Sequence, residues 1–279
     1  MLKLGEYQEL TILRDTDPGL YLGNAEEDEV LLPHKYKPET FEIGDTITAF
    51  VYLDYEERPV ATTLKPYVTL NNFGYLHCAD VNQYGAFMDW GVQKQLFVPF
   101  KEQARPMKVG NWYIVYLYLD EQTQRLVGSS KTNKFLDNSS LEVEKFEEVD
   151  ILVTHLTDKG ANAIVNGKHH GLIYIDDIFE DIRTGDRLKA YIKKIRSDNK
   201  IDLVLQPPGY RSIEPNANYV LDELKAAGGF LPLHDKSDPD TIKNELGLSK
   251  KSFKKAIGSL YKDKQIIIKE DGIELIAED

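Results

Sequence analysis

The chain has 279 residues, and its 42% hydrophobic content is enough for about two globular domains. No apolar run approaches the roughly 18 residues that a membrane span needs, and the first residues lack the apolar block of a secretory signal. A single cysteine, Cys78, excludes an intrachain disulfide and a cysteine-rich zinc site. We therefore expect a cytoplasmic protein without a membrane partner.

The net charge of −12 at first sight opposes nucleic-acid binding, because phosphates are bound by cations. The acidic excess is unevenly distributed, however. Residues 1–66 hold 6 basic and 14 acidic residues, whereas residues 183–200 hold 7 basic and 2 acidic residues. Residues 249–264 hold 6 basic residues and 1 acidic residue. The first quarter of the chain should repel polyanions, and the two later segments should attract them.

Three glycine pairs share one spacing. Gly19, Gly85 and Gly160 are each followed 25 residues later by another glycine. The segments that begin there, GLYL, GAFM and GANA, match in register, and each unit has short alternating strands broken by Gly and Asp turns. Five short antiparallel strands fit a closed barrel of the oligonucleotide-binding (OB) type, because closure removes exposed sheet edges. The predicted barrels are residues 1–66, 67–140 and 141–210.

One strand of the second unit presents an aromatic side chain outward. In VNQYGAFMDWG, residues 81–91, alternation directs Ala86 and Met88 to the core and Phe87 to the opposite face, near Tyr84. Exposed aromatic rings stack on unpaired bases, at roughly 1–3 kcal/mol per base. A contact between Phe87 and a neighbouring barrel is the alternative interpretation.

The last quarter of the chain changes character after the proline-containing stretch 206–216. Three amphipathic segments, NANYVLDELKAAGG, SDPDTIKNELG and SKKSFKKAIGSLYKDK, predict three short helices, and the first two also carry cap residues. QIIIKE and IELI, joined by Asp271-Gly272, predict a hairpin. Three helices and a hairpin make a winged helix, predicted for residues 211–279. The fold class is thus mainly β with a small α/β C-terminal domain.

The motifs GAFMDWG, LFVPFKEQ and VYLYLDEQTQR of the second unit resemble the S1 domain, an RNA-binding form of the OB barrel. Three such units followed by a winged helix resemble the conserved virulence factor B family of bacterial RNA-binding proteins, and the resemblance covers essentially the whole chain. It implies binding of single-stranded RNA, a role in post-transcriptional regulation of gene expression, and no catalytic activity or cofactor.

The S1 resemblance also implies site residues. In S1 domains the binding face carries an aromatic residue before the glycine, a phenylalanine after it, and an aspartate and a basic residue on later strands. The matching positions in the second unit are Tyr84, Phe87, Asp120 and Arg125. The sequence departs from the pattern at Pro99, where the family has His or Tyr.

The other two units depart further. The first has Pro18 and Tyr21 at the two aromatic positions and an acidic loop, so we expect it to be a degenerate, structural barrel. The third lacks both aromatics and has a basic strand instead. Its candidate RNA contacts are Tyr174, Lys189, Tyr191, Lys193, Arg196 and Lys200. Lysines that only keep a strand edge solvated are the alternative interpretation.

The third predicted helix of the winged helix has a lysine-rich face opposite an apolar stripe that runs from Phe253 to Leu260. This face indicates contact with RNA or another nucleic acid, and a solvated helix face is the alternative. The candidate residues are Lys251, Lys254, Lys255 and Lys262. The acidic hairpin tip, residues 270–272, is not expected to enter a groove.

An enzyme is not expected. The chain lacks metal-ligand spacing and a phosphate-cradling glycine loop, and no small-molecule substrate is indicated. Two other function classes stay open, a DNA-binding transcriptional regulator that uses only the winged helix and a protein-interaction scaffold. The basic segments favour nucleic acid over a scaffold. The exposed aromatics favour single-stranded RNA over duplex DNA, because a duplex offers no unstacked bases.

Overall fold

The computed structural model describes residues 2–178, 181–207 and 215–276. The chain forms two compact units, Met1–Leu205 and Gln206–Asp279. Within the described residues, the first unit holds three five-stranded sheets, and the second holds three helices and a three-stranded sheet. The predicted fold class is confirmed. The middle of the stretch predicted to separate barrels from winged helix, residues 208–214, lies outside the described residues.

The first barrel is closed. Its strands are β1 (Glu6–Thr16), β2 (Gly19–Gly23), β3 (Glu29–Pro33), β4 (Thr46–Leu53) and β5 (Pro59–Thr62). They follow the order β1-β2-β3-β5-β4, and the parallel pairing of β3 with β5 closes the ring. Alternate side chains such as Leu20, Leu22 and Leu32 are fully buried and fill the interior, as expected for a small barrel.

The second sheet does not close into a ring of hydrogen bonds, although five-stranded closure was predicted. Its strands are β6 (Phe73–Val81), β7 (Gly85–Asp89), β8 (Leu96–Pro99), β9 (Trp112–Asp120) and β10 (Arg125–Ser129). The order β10-β9-β6-β7-β8 leaves β8 and β10 as unpaired edges. The two edges still pack together. A Cβ added to Gly128 on β10 would lie only 2.8 Å from the side chain of Val98 on β8, so the two strands are in close contact. We call this line of side-chain contact the seam.

The third barrel is closed like the first. Its strands are β11 (Glu148–Thr157), β12 (Gly160–Val165), β13 (His169–Tyr174), β14 (Arg187–Ile195) and β15 (Ile201–Val204). Here β13 pairs in parallel with β15, which repeats the closure of the first barrel.

The first glycine of each repeated pair occupies one structural position in the three sheets. Gly19, Gly85 and Gly160 begin the second strand of each sheet, where the facing strand passes very close. An added Cβ would lie between 1.9 and 2.4 Å from a main-chain oxygen of that strand. Any side chain would collide there, which explains why glycine recurs.

The C-terminal unit has the predicted winged-helix elements. They are α1 (Pro215–Ala226), β16 (Phe230–Leu231), α2 (Pro239–Leu246), α3 (Lys250–Lys262), β17 (Ile266–Ile268) and β18 (Ile273–Leu275). Asp238 caps α2, and Gly247 ends it in the left-handed conformation at φ 67°. The apolar stripe of α3 is buried, as predicted. Strand β16, which pairs with β18, was not predicted, because two residues are too few to show alternation.

Gly85→Ala is expected to destabilise the second barrel by about 1–3 kcal/mol, because the new Cβ would lie 2.4 Å from the carbonyl oxygen of Val98. The two tryptophans of the chain, Trp90 and Trp112, both lie in this barrel. Their fluorescence during urea unfolding therefore reports its stability. Gly258→Ala, on α3 with nothing within 4 Å of its Cβ position, should leave that transition in place. An unchanged midpoint for Gly85→Ala would contradict the steric argument.

Candidate nucleic-acid interface

A cleft of about 630 Å³ follows the seam between β8 and β10, and the turn between β4 and β5 of the first barrel covers one side of it. Three of the four candidate residues from the second unit, Tyr84, Phe87 and Arg125, line this cleft. The fourth, Asp120, lies opposite Arg125 in the ladder at the end of β9. Its carboxylate accepts the Thr123 hydroxyl at 2.6 Å, and this bond lowers the pKa of Asp120.

Aromatic rings form the walls of the cleft. Phe87 is half-buried and packs against Phe97 on β8, with ring centroids 5.2 Å apart. Tyr84 is 65% exposed, and Tyr55, from the β4–β5 turn, is 68% exposed. Phe97 was detectable in the sequence, because it alternates with the buried Leu96 and Val98. Tyr55 had no such signal, because it comes from a different barrel.

Glu57 of the first barrel holds two cations of the cleft. Its carboxylate lies 3.0 Å from Nε of Arg125 and 3.1 Å from Nζ of Lys94. Lys94 also donates to the carbonyl of Asp54, at 2.7 Å. An anion that approaches Nε of Arg125 therefore competes with Glu57. The first barrel, expected from its sequence to be only structural, supplies one side of the cleft.

An aromatic cluster joins the first two barrels beneath the cleft. The Trp90 ring meets those of Phe50 and Tyr52 edge-on, with centroids 5.7 and 6.2 Å away. The indole N–H of Trp90 donates to the carbonyl of Lys94, at 2.5 Å. Burial raises the pKa of Tyr52 to about 12. Because these side chains belong to one shared core, the β4–β5 turn is held in place over the seam.

The candidate residues of the third barrel fall into two groups, and the first lies around Tyr174. Arg196 donates to the Tyr174 hydroxyl and forms an ion pair with Asp202, at 2.8 Å. Lys193 forms an ion pair with Asp177, at 2.6 Å. Tyr174, Lys193 and Asp202 line a pocket of about 520 Å³ together with Lys145 and Lys194, and Arg196 lies outside its lining.

The second group lies on the β11 side of the same barrel. Lys189 is 3.0 Å from Asp150, and the hydrogen bond to this carboxylate raises the pKa of Lys189. The Tyr191 hydroxyl donates to Glu148, at 2.8 Å. Lys200 stands apart and pairs with Asp198, at 2.6 Å. Every candidate cation of this barrel thus has a carboxylate partner, and less positive charge is available than the residue count implies.

Helix α3 presents a basic face in the second unit. Its four candidate residues, Lys251, Lys254, Lys255 and Lys262, are all exposed. Lys250 and Lys251 occupy the first turn, where the helix dipole disfavours positive charge. Ser249 caps this turn by accepting the N–H of Ser252, at 3.1 Å. A basic first turn costs helix stability, so it favours a ligand-binding role over a simple solvated face.

Within the described residues, no group of three or more His, Cys, Asp or Glu side chains is placed to hold a metal ion. Cys78 is buried, and burial raises the pKa of its thiol. Among the helices of the described ranges, none is both long and apolar enough to cross a bilayer.

Two domain families match the chain. The family model of the CvfB-like winged helix domain matches residues 218–275, and that of the S1 domain matches residues 4–64. The S1 match falls on the first barrel, whose site positions depart furthest from the S1 pattern. S1 barrels and winged helices are nucleic-acid-binding domains, so the chain has the architecture of a nucleic-acid-binding protein.

Relatives match most of the length of the chain. An uncharacterized protein, YitL, of Bacillus subtilis is 26% identical over 95% of this chain and 91% of its own length. Conserved virulence factor B of Staphylococcus epidermidis is 25% identical over 85% of this chain and 82% of its own length. The corresponding figures for conserved virulence factor B of Staphylococcus aureus are 22%, 85% and 81%. The resemblance of this chain to the conserved virulence factor B family is thereby confirmed.

A solved structure also aligns with the whole chain. It is a multidomain protein with nucleic acid binding domains from Streptococcus pneumoniae, 26% identical, covering 98% of both chains with a TM-score of 0.43.

Glu57→Gln is expected to strengthen binding of a labelled oligouridine by roughly 2- to 5-fold, because Arg125 and Lys94 lose a competing carboxylate. Fluorescence anisotropy measures the affinity. Glu56→Gln is the matched control, since it removes the same charge at the neighbouring position. The Glu56 carboxylate pairs with Arg58, at 3.0 Å. Equal gains for both variants would show a general charge effect and contradict the specific role of Glu57.

Proposed function

We propose that the protein is a non-catalytic RNA-binding protein that binds single-stranded RNA and acts in post-transcriptional regulation in the cytoplasm. The observation that carries this proposal is the cleft along the seam. Exposed rings of Tyr55 and Tyr84, the half-buried Phe87 and the cation of Arg125 all line this space of about 630 Å³. Aromatic platforms beside a cation are the usual means of holding unpaired bases and their phosphates.

The aromatic rings of the cleft support a single strand over a duplex. Its rings offer π faces to bases that are already unstacked, whereas bases within a duplex are stacked on each other. Stacking also tolerates any base, because every base has a π face. We therefore expect binding with little sequence preference.

Helix α3 contributes electrostatic affinity in this proposal. Its lysines are exposed and act on phosphates without reading bases. The same basic helix supports the second candidate function, a regulator that binds duplex DNA through the winged helix alone. The two functions differ in whether the barrels take part.

A comparison of two labelled ligands tests the proposal. The affinities of an oligouridine and of a duplex DNA of equal length are measured by anisotropy at low and moderate salt. We expect tighter binding of the oligouridine at both salt concentrations and weaker binding of each ligand as salt rises. Equal or tighter binding of the duplex would favour the DNA-binding regulator.

Phe87→Ala and Lys254→Ala separate stacking from electrostatics. Phe87→Ala should weaken oligouridine binding by about 1–3 kcal/mol and leave the salt dependence nearly unchanged, because no phosphate contact is lost. Lys254→Ala should cost less affinity and reduce the slope of log affinity against log salt by about one. If Phe87→Ala lowers the melting temperature and leaves affinity intact, Phe87 only packs against Phe97.

A further inference from the structure

A second aromatic groove, of about 680 Å³, lies on the outer face of the second barrel where it meets the third. It shares no lining residue with the cleft along the seam. The lining residues from the second barrel are Tyr67, Tyr75, His77, Asp89 and Trp112, and those from the third are Gly185 and Arg187. S1 site positions do not account for it, because none of the four lines the groove.

Three rings of the groove form one connected surface. The Trp112 ring lies 5.3 Å from that of Tyr75 and 5.4 Å from that of His77, measured between centroids. Cross-strand register brings them together, because His77 on β6 stands directly opposite Trp112 on β9. Trp112 is 49% exposed and the adjacent Tyr67 is 57% exposed. Core packing explains neither ring, since both leave about half of their surface in water.

The third barrel holds the groove in shape. Gly185, at φ 97°, packs so closely that its Cβ would lie 2.1 Å from the Tyr75 ring. The guanidinium of Arg187 donates a hydrogen bond to the carbonyl of Phe73. These contacts fix an exposed cation beside the exposed rings before any ligand arrives. Pre-ordered aromatic and cationic groups reduce the entropy that a ligand must lose on binding.

The groove is continuous with the cleft across the sheet. Asp89, His77 and Trp112 are directly opposed on β7, β6 and β9 and share one outward face. Phe87 of the cleft lies on that face of β7, two residues before Asp89. With strands about 4.8 Å apart, the path from β7 to β9 spans roughly 10 Å. An RNA strand that is bound at Phe87 therefore reaches Trp112 without crossing an edge of the sheet.

We propose that this groove is a second base-stacking site, which takes unpaired bases of the same RNA strand on Trp112 and Tyr75 and a phosphate on Arg187. The proposal rests on the proposed function and extends the binding path from one face of the barrel to the junction with the third barrel. Asp89 also lines the groove, and the proposal gives it no contact with a phosphate. Its carboxylate instead accepts the N–H of Gly91, at 3.1 Å.

Tryptophan fluorescence tests the proposal directly, because Trp112 is half exposed and the other tryptophan, Trp90, is 2% exposed. The full chain is titrated with a labelled oligouridine of about 12 nucleotides, within the roughly 4–16 that one OB barrel accommodates. Anisotropy of the label reports binding, and tryptophan emission reports stacking. We expect quenching in the wild type that falls in Trp112→Phe to whatever change Trp90, which lines the cleft, shows by itself.

Affinities of further variants supply a second readout. Trp112→Ala should weaken binding by roughly 5- to 150-fold, the equivalent of one lost stacking contact. Phe100→Ala, which removes a ring 51% exposed on the same barrel and outside both the cleft and the groove, is the matched control and should bind normally. If Trp112→Ala does not fold, the difference in quenching between wild type and Trp112→Phe decides alone.

The outcomes separate this proposal from the proposed function. Normal RNA binding with the same emission change in wild type and Trp112→Phe overturns the groove and leaves RNA binding standing. Absence of RNA binding in the wild type overturns both.

Discussion

The packing of Trp90 against Phe50 and Tyr52 is the contact on which the rest of the first unit depends. It merges the cores of two barrels that could otherwise rotate independently of each other. Because the merged core lies next to the β4–β5 turn, it determines where Tyr55 and Glu57 stand relative to Phe87 and Arg125. The cleft is therefore a property of the pair of barrels, and neither barrel alone contains it.

The charge available to a ligand also depends on which side chains lie next to each other. The net charge of −12 does not act as a uniform field, because many of the cations are matched by nearby carboxylates. Arg196 with Asp202, Lys193 with Asp177 and Lys189 with Asp150 are local pairs on the third barrel. Helix α3 has no acidic residue of its own between Lys250 and Lys262.

Sequence patterns predicted the elements well where local rules act alone. Glycine spacing located the three sheets, and Gly247, the last residue of SDPDTIKNELG, located the end of α2. Alternation correctly placed Phe87 outside and Met88 inside. Closure of the second sheet was predicted wrongly, because ring closure depends on whether β8 and β10 pair over a long sequence separation, and no local pattern encodes that.

The site was predictable only in part, for a related reason. A comparison within one unit can find Tyr84, Phe87 and Arg125, but Tyr55 and Glu57 enter from another unit. Likewise, a count of lysines cannot show which of them a carboxylate already holds, since Glu57 and Lys94 are 37 residues apart.

The ion pairs of Glu57 have a consequence for how binding responds to salt. A cation on an open surface is neutralised by mobile ions, and a bound phosphate releases those ions into solution. Glu57 instead acts as a counterion tethered to the protein, so its exchange for a phosphate frees no ion at Arg125 or Lys94. Under the proposed function, a ligand that stacks as well as it pairs is therefore expected to compete best with Glu57, and the cleft is expected to discriminate by stacking more than by charge.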